Sequence, residues 1–250
     1  MKILITVEYF GKNYAGWQRQ KNANSVQQVL EEKLSQILQT EITLWGSGRT
    51  DRGVHALGQK AHFVYYGKFP IDRLCTAVNS LLPDDIRLFD AKIVDDDFHA
   101  QYGAKRKTYM YKYYVGRTLH PIKNELAAQI PYDESMFDFS KMQEACSKLI
   151  GTHDFAGFSA TGSKVKSTIR TIYSATLTKD GQDVTLEICG NGFLYNMVRI
   201  IAGTLAYVAI GKLTLSVIEE IFITKDRTKA GKTYPPQGLY LKSVEYDFLG

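Results

Sequence analysis

Asp51 stands between two arginines in the run Gly46-Ser47-Gly48-Arg49-Thr50-Asp51-Arg52-Gly53-Val54-His55-Ala56. A carboxylate flanked by guanidiniums stays ionised at neutral pH and can act as a nucleophile or as a fixed negative charge. Three glycines within the eight positions 46–53 let the backbone turn through positive φ and approach a partner closely, at a cost in chain entropy. The same residues also suit a plain turn in which Asp51 pairs with Arg49 or caps the adjoining turn. Arg199 is the second candidate, because it interrupts the apolar series Phe193, Leu194, Met197, Val198, Ile200, Ile201 and Leu205. A guanidinium in such a helix must reach a carboxylate, a phosphate or water. It either snorkels at the helix edge or pairs with Asp51. The Tyr109 ring either fills a core or stacks on a base. Arg49 is long enough to reach past Asp51 into a ligand's backbone, and Arg170 lies in a strand near Lys166. For both arginines, from the sequence alone, solvated surface charge is the favoured reading.

The elements that must hold these residues emerge from periodicity. Ile3, Ile5, Val7 and Tyr9 alternate as in a strand, and the pattern breaks between Phe10 and Gln20. Val26, Val29, Leu30, Leu34, Ile37 and Leu38 recur at helical spacing behind a Ser25/Gln28 capping box. A strand over Ile42–Trp45 delivers the chain into the Asp51 loop, and another over Gln59–Tyr66 takes it away. A helix from about Ile71 is stopped by Pro83, and Ile86–Ile93 reads as a strand. The second half reads as a strand through Tyr109, Tyr111 and Tyr113, a helix over Ser135–Leu149, and strands over Ser167–Thr178 and Val184–Cys189. Two helices then start near Phe193 and Leu215, and a strand over Leu239–Tyr246 closes the chain. Residues 116–131 read as a surface excursion, and His153-Asp154 as a turn. Each half runs strand, helix, two strands, helix, strand, so the expected class is α/β (α+β) with a mainly antiparallel sheet. The halves are placed at 1–104 and 105–250, with a cleft between them.

A chain of 250 residues suffices for one large domain or two that share a core. Lys and Arg number 31 against 26 Asp and Glu, a balance that permits a nucleic-acid partner without requiring one. The excess is clustered in Lys105-Arg106-Lys107, in Lys164, Lys166 and Arg170, and in Lys225, Arg227, Lys229 and Lys232. Converging on one face, these would form a groove for a polyanion. Cys75, Cys146 and Cys189 are odd in number and far apart, as free thiols of a reducing, cytoplasmic setting are. The apolar stretch 193–210 contains Asn196 and Arg199, which argues against a membrane span. The dispersed histidines and cysteines make no metal spacing, and the glycine loop lacks a P-loop lysine. Neither metal nor cofactor is expected.

Gly48-Arg49-Thr50-Asp51 followed by Gly53-Val54-His55-Ala56 resembles the signature of the tRNA pseudouridine synthase A family. Further marks of that family come in order: Tyr14-Ala15-Gly16-Trp17-Gln18, Phe98-His99-Ala100, Tyr109-x-Tyr111, Gly151-Thr152-His153-Asp154-Phe155 and Arg170-Thr171-Ile172. Phe193-Leu194-Tyr195-Asn196-Met197-Val198-Arg199 and Pro235-Pro236-Gln237-Gly238-Leu239-Tyr240-Leu241 complete the series. The resemblance implies the pseudouridine synthase fold, a homodimer, and a tRNA substrate modified at uridines 38 to 40 of the anticodon stem-loop. It implies Asp51 as the nucleophile or proton-handling carboxylate, Arg199 as its salt-bridge partner and Tyr109 stacked on the target base. Arg49 would fill the space of the extruded nucleotide, and Leu239 would line the base pocket. RNA contacts fall to Arg52, Lys105, Arg106, Lys164, Lys166, Arg170, Arg227, Lys229 and Lys232. The chain departs from the family's usual residues at Arg52, Lys60, Gln101, Lys232 and Tyr234, which bears on substrate range more than on chemistry.

Overall fold

The computed structural model describes residues 1–162 and 165–247. They group into two compact units, Met1–Lys105 together with the chain from Tyr240 onward, and Arg106–Leu239. In the first unit β1 (Lys2–Tyr9) lies between two antiparallel neighbours, β3 (His55–Val64) and β4 (Ile86–Val94). Ile3, Leu4 and Ile5 are consecutively buried, so the first half of β1 is covered on both faces. Helix α1 (Val26–Leu38) buries Val26, Leu30, Leu34 and Leu38 as the i, i+4 spacing requires. Ser25 Oγ accepts the Gln28 N–H at 3.4 Å, while the Gln28 side chain turns forward to Glu32. Only half of the capping box forms. Helix α2 (Leu74–Asn79) follows a 3-10 turn over Ile71–Arg73 and ends ahead of Pro83.

The strand expected over Ile42–Trp45 shrinks to β2 (Trp45–Gly46), which pairs antiparallel with β3. The reason is local chemistry. Side chains of α1 take the hydrogen bonds that a neighbouring strand would take: Ser35 Oγ accepts from Ile42 N–H at 2.9 Å and Glu31 Oε1 from Leu44 N–H at 2.9 Å. Gln27 Nε2 donates to the Leu44 carbonyl at 3.0 Å. Glu31, buried, also takes bonds from Gln27 and Arg19. The arm that feeds the Asp51 loop therefore hangs from a helix.

In the second unit β5 (Arg106–Val115) pairs antiparallel with β9 (Asp183–Gly190), which continues to β8 (Ile169–Asp180) and then β7 (Gly151–Asp154). Residues 116–131 are more than a surface excursion, because they contain β6 (Ala128–Ile130), buried and parallel to the end of β5. His153-Asp154 belongs to β7 and is not a turn. The His153 ring stacks on Phe222 at 4.3 Å, and Asp154 binds Thr168 and Lys225. Helix α3 (Phe139–Ser147) starts later than its apolar pattern, where Asp138 accepts the Lys141 N–H. Helices α4 (Met197–Ala209) and α5 (Val217–Thr224) complete the unit. At Gly203, α4 meets the Lys232 carbonyl so closely that a Cβ would lie 1.9 Å from the oxygen.

The closing strand β10 (Leu239–Glu245), expected with the C-terminal half, pairs parallel with β3 through Tyr240–His55 and Leu241–Ala56, and so belongs to the first unit. Most pairings within each unit are antiparallel, as expected for this α/β class.

Trp45 stacks on His62 at 5.3 Å, and Phe98 and His99 close round the same ring. His62 Nδ1 accepts the Ala100 N–H at 3.2 Å. Burial, with His99 and Lys2 adding like charge, pushes the His62 imidazole down to about 4, against the weaker pull of the Trp45 carbonyl. The folded chain thus refuses a proton that the unfolded chain accepts. Its contribution to stability is complete above the free imidazole value and drains away as pH falls toward 4. Urea unfolding at pH 7 and pH 4.5 should show the wild type losing on the order of 2 kcal/mol more than His62→Gln over that interval. Parallel pH profiles for the two proteins would refute this account.

Candidate active site

The Asp51 loop leaves β2 and enters β3 with its backbone tied at several points. Ser47 N–H donates to the Lys60 carbonyl at 2.7 Å, and Ser47 Oγ donates to Gln59 Oε1 at 2.7 Å. Gln59 Nε2 returns a bond to the Gly48 carbonyl at 2.9 Å. Both Ser47 and Gln59 are wholly buried, so this small network has no competing water. Further along, Thr50 Oγ1 shares a hydrogen bond with Tyr9 Oη at 2.8 Å, and the Thr50 carbonyl accepts the Trp17 N–H at 3.1 Å. Gly16 makes that approach possible, since at φ +97° a Cβ there would lie 2.3 Å from the Thr50 oxygen. Gly53 N–H reaches the Tyr14 carbonyl, and Val54 N–H closes a turn on the Asp51 carbonyl at 3.1 Å.

His55 fixes the far end of the loop. Its Nδ1 accepts the Gly11 N–H at 3.0 Å, and its ring lies between Phe10 at 4.8 Å and Tyr240 at 4.7 Å. What remains outward is the chemistry. Arg49 and Arg52 are exposed and Asp51 is half-buried. No ion pair of Arg49 or Arg52 is seen among the described residues. Lys60, by contrast, is turned onto Thr6 Oγ1 at 2.6 Å, and burial lowers its ammonium pKa.

The second unit carries the other candidates. Tyr109, on β5 opposite Ile188, is half-buried with its ring edge-on to Phe193 at 5.0 Å. Arg199 in α4 does not simply snorkel. Its Nε donates to the Tyr234 carbonyl and its Nη1 to Asn196 Oδ1, each at 2.8 Å, while Tyr234 N–H donates back to the Arg199 carbonyl. Asn196 sits at φ 59°, a left-handed conformation that asparagine tolerates, just ahead of the helix. Tyr111 Oη donates to the Pro235 carbonyl at 2.6 Å, which fixes the approach to buried Leu239.

The basic residues divide by what they bind. Lys105 pairs with Asp247 at 2.9 Å, Lys229 with Glu220, and Arg227 ties the Gly231 carbonyl and Thr233 Oγ1. Lys232 is exposed with its ammonium over the Tyr234 ring, Lys166 is exposed, and Lys164 lies outside the described residues. Arg106 lies over the Tyr173 ring at 4.8 Å. Among the described residues no group of three or more His, Cys, Asp or Glu could hold a metal ion, and no helix is long and apolar enough to cross a membrane. Sequence reasoning missed Tyr9, His55 and Gln59 as supports of the loop. Their only signal is polar chemistry at strand positions that the alternation places inside.

The family model described as tRNA pseudouridine synthase matches residues 5–103 and 145–247. The tRNA pseudouridine synthase A of Thermoanaerobacter sp. (strain X514) is 49% identical over 244 residues, covering 98% of this chain and 99% of that protein. The protein of the same name from Ruminiclostridium cellulolyticum is 47% identical over 246 residues, with 98% and 99% covered. The one from Bacillus licheniformis is 43% identical over 249 residues, with 99% and 100% covered. With the family model and these relatives each spanning most of its length, the chain belongs to the tRNA pseudouridine synthase family.

Proposed function

We propose that this protein isomerises uridine to pseudouridine at positions 38, 39 and 40 of the tRNA anticodon stem-loop, with Asp51 as the catalytic carboxylate. The observation that carries the reading is the braced loop. Its backbone is bound at Ser47, Gly48, Thr50, Gly53 and Val54 while the Arg49, Asp51 and Arg52 side chains are left facing outward or half-covered. Preorganisation of this kind suits a group that must meet a reacting atom within a fraction of an ångström.

The reaction breaks the bond from C1′ to N1, turns the uracil, and joins C1′ to C5. The proton on C5 leaves and N1 takes one up, so nothing is oxidised or reduced. A stem nucleotide must first leave its stack, at a cost of a few kcal/mol. Arg49 fills the vacated space, Tyr109 stacks on the displaced base, and Leu239 lines its pocket. Arg199 supplies the positive charge that keeps Asp51 ionised. Arg52, Lys105, Arg106, Lys164, Lys166, Arg170, Arg227, Lys229 and Lys232 contribute charge toward the phosphates. The enzyme works in the cytoplasm as a homodimer, and sedimentation tests the dimer directly against the 28.2 kDa mass of one chain.

Purified protein incubated with unmodified tRNA should yield pseudouridine at 38 to 40, read by position. Asp51→Asn should lower the rate at least about 1,000-fold while leaving tRNA binding intact. Modification at other positions would overturn the assigned specificity, and no pseudouridine anywhere would overturn the function. Gly16→Ala tests the bracing. Pushing the Thr50 carbonyl aside should cost about 1–3 kcal/mol of stability. It should also lower kcat about 100-fold at a temperature where the variant remains folded, because a small displacement of Asp51 suffices. Undiminished kcat in that variant would show that the contact does not position the carboxylate.

A further inference from the structure

Tyr234 is one of the positions at which the chain departs from the family's usual residues, and the proposed chemistry makes no use of its side chain. Its main chain clasps Arg199 twice, giving the Tyr234 N–H to the Arg199 carbonyl at 3.0 Å and accepting the Arg199 Nε at 2.8 Å. Residues 230–235 belong to no helix or strand, so no regular ladder holds that clasp in place. On one side of it Gly231 N–H donates to Thr204 Oγ1 at 2.9 Å, and on the other Tyr111 Oη donates to the Pro235 carbonyl at 2.6 Å. Between these ties the side chain that enters the core is the Tyr234 ring.

That ring is 3% exposed. It stands edge-on to Tyr113 at 5.9 Å and tilted against Tyr111 at 6.3 Å, and the Lys232 ammonium lies over it at 5.7 Å. A Cβ on Gly203 would come within 2.9 Å of its Cδ1, so the ring fits against α4 because the helix carries a glycine there. The two tyrosines it meets are pinned by their own hydroxyls, Tyr111 on the Pro235 carbonyl and Tyr113 on the Ala202 carbonyl at 3.1 Å. A flat ring wedged between a strand and a helix leaves residue 234 one backbone position. Removing it opens a cavity into which an irregular segment can relax, carrying the clasp with it.

We propose that Tyr234 is a positioning residue for the isomerisation, its buried ring setting the main-chain clasp that aims the Arg199 guanidinium. The inference rests on the reading above, in which Asp51 is the catalytic carboxylate and Arg199 keeps it ionised. A guanidinium released from the clasp stabilises a carboxylate less, so Asp51 takes up its proton at a higher pH. The titratable neighbours of the ring are the phenols of Tyr111, Tyr113, Tyr132 and Tyr207 and the cations Lys232 and Arg199. Phenols, ammonium groups and guanidiniums titrate well above pH 8 as free side chains, so an acid limb below that is not theirs.

The test is single-turnover pseudouridine formation by the full chain on an unmodified tRNA transcript, followed from about pH 5 to pH 8. Tyr234→Ala should lower the rate constant at pH 7 roughly 10- to 100-fold and move the acid limb of the profile up by about one pH unit. Its Kd for the transcript should stay within about twofold of the wild type, because the ring acts on the reacting step and not on binding. Tyr234→Phe, which keeps the ring, should restore both rate and limb. In an Arg199→Lys background, where the Nε bond is already gone, Tyr234→Ala should cost less than about threefold, since no guanidinium remains to be aimed. An unmoved acid limb in Tyr234→Ala would overturn the role, as would an equal loss in both backgrounds or a Tyr234→Phe protein as impaired as Tyr234→Ala. If Tyr234→Ala melts below the assay temperature, Tyr234→Leu, which fills most of the space without a flat ring, is read against the same outcomes. Turnover by the wild type separates the two failures. Product from the wild type with an unmoved limb in the variant sinks the positioning role alone, and no product from the wild type sinks the functional assignment.

Discussion

The Trp17 N–H to Thr50 carbonyl hydrogen bond, at 3.1 Å, is the contact on which the Asp51 loop depends. It joins two segments that have no regular structure of their own. It can form only because Gly16 has no side chain to strike the same carbonyl. The rest of the first unit is arranged to make that meeting repeatable. Glu31 hangs the arm before the loop from α1, Gln59 and Ser47 lock its first turn, and His55 seals its exit between two aromatic rings. A loop rich in glycine would otherwise sample many conformations. Here the conformational freedom is removed largely by bonds to the loop's backbone.

The second unit reaches the same end by different means. Arg199 sits on a rigid helix, and its guanidinium is aimed by a carbonyl and an asparagine oxygen. The carbonyl belongs to Tyr234, in a segment held against α4 because Gly203 lets the Lys232 carbonyl come into van der Waals range of the helix. A small residue therefore decides the direction of a charged one in this unit too. Buried polar and ionic groups of this sort are costly unless fully bonded, and bonding them fixes one arrangement.

Much of this was legible in the sequence. The alternation of β1 and β5, the spacing of α1 and the apolar run of α4 each announced an element close to where it lies. Short elements were not legible, for physical reasons. A three-residue strand such as β6 has no period to detect, and β7 begins on a glycine at φ +118° that reads as a turn. The arm Ile42–Leu44 has the composition of a strand, yet side chains of α1 satisfy its backbone, a substitution no local pattern reveals. At the site, the Asp51 loop stood out by its glycines and charges. Its supports did not, because a buried glutamine or histidine is defined by what surrounds it. The basic triplet 105–107 read as one feature, and the fold gives each of its members a different environment.

The parallel pairing of Tyr240 with His55 makes the first unit discontinuous along the chain. During synthesis, residues 106–239 leave the ribosome as one uninterrupted stretch and can complete their own core. Residues 1–105 can make most of their own pairings earlier, but one of the two rings that hold His55 arrives only after position 240 has been translated. Closing so long a loop delays the final step relative to local structure. The exit of the Asp51 loop at His55 is therefore sealed later than the loop's other supports, all of which lie within the first sixty residues.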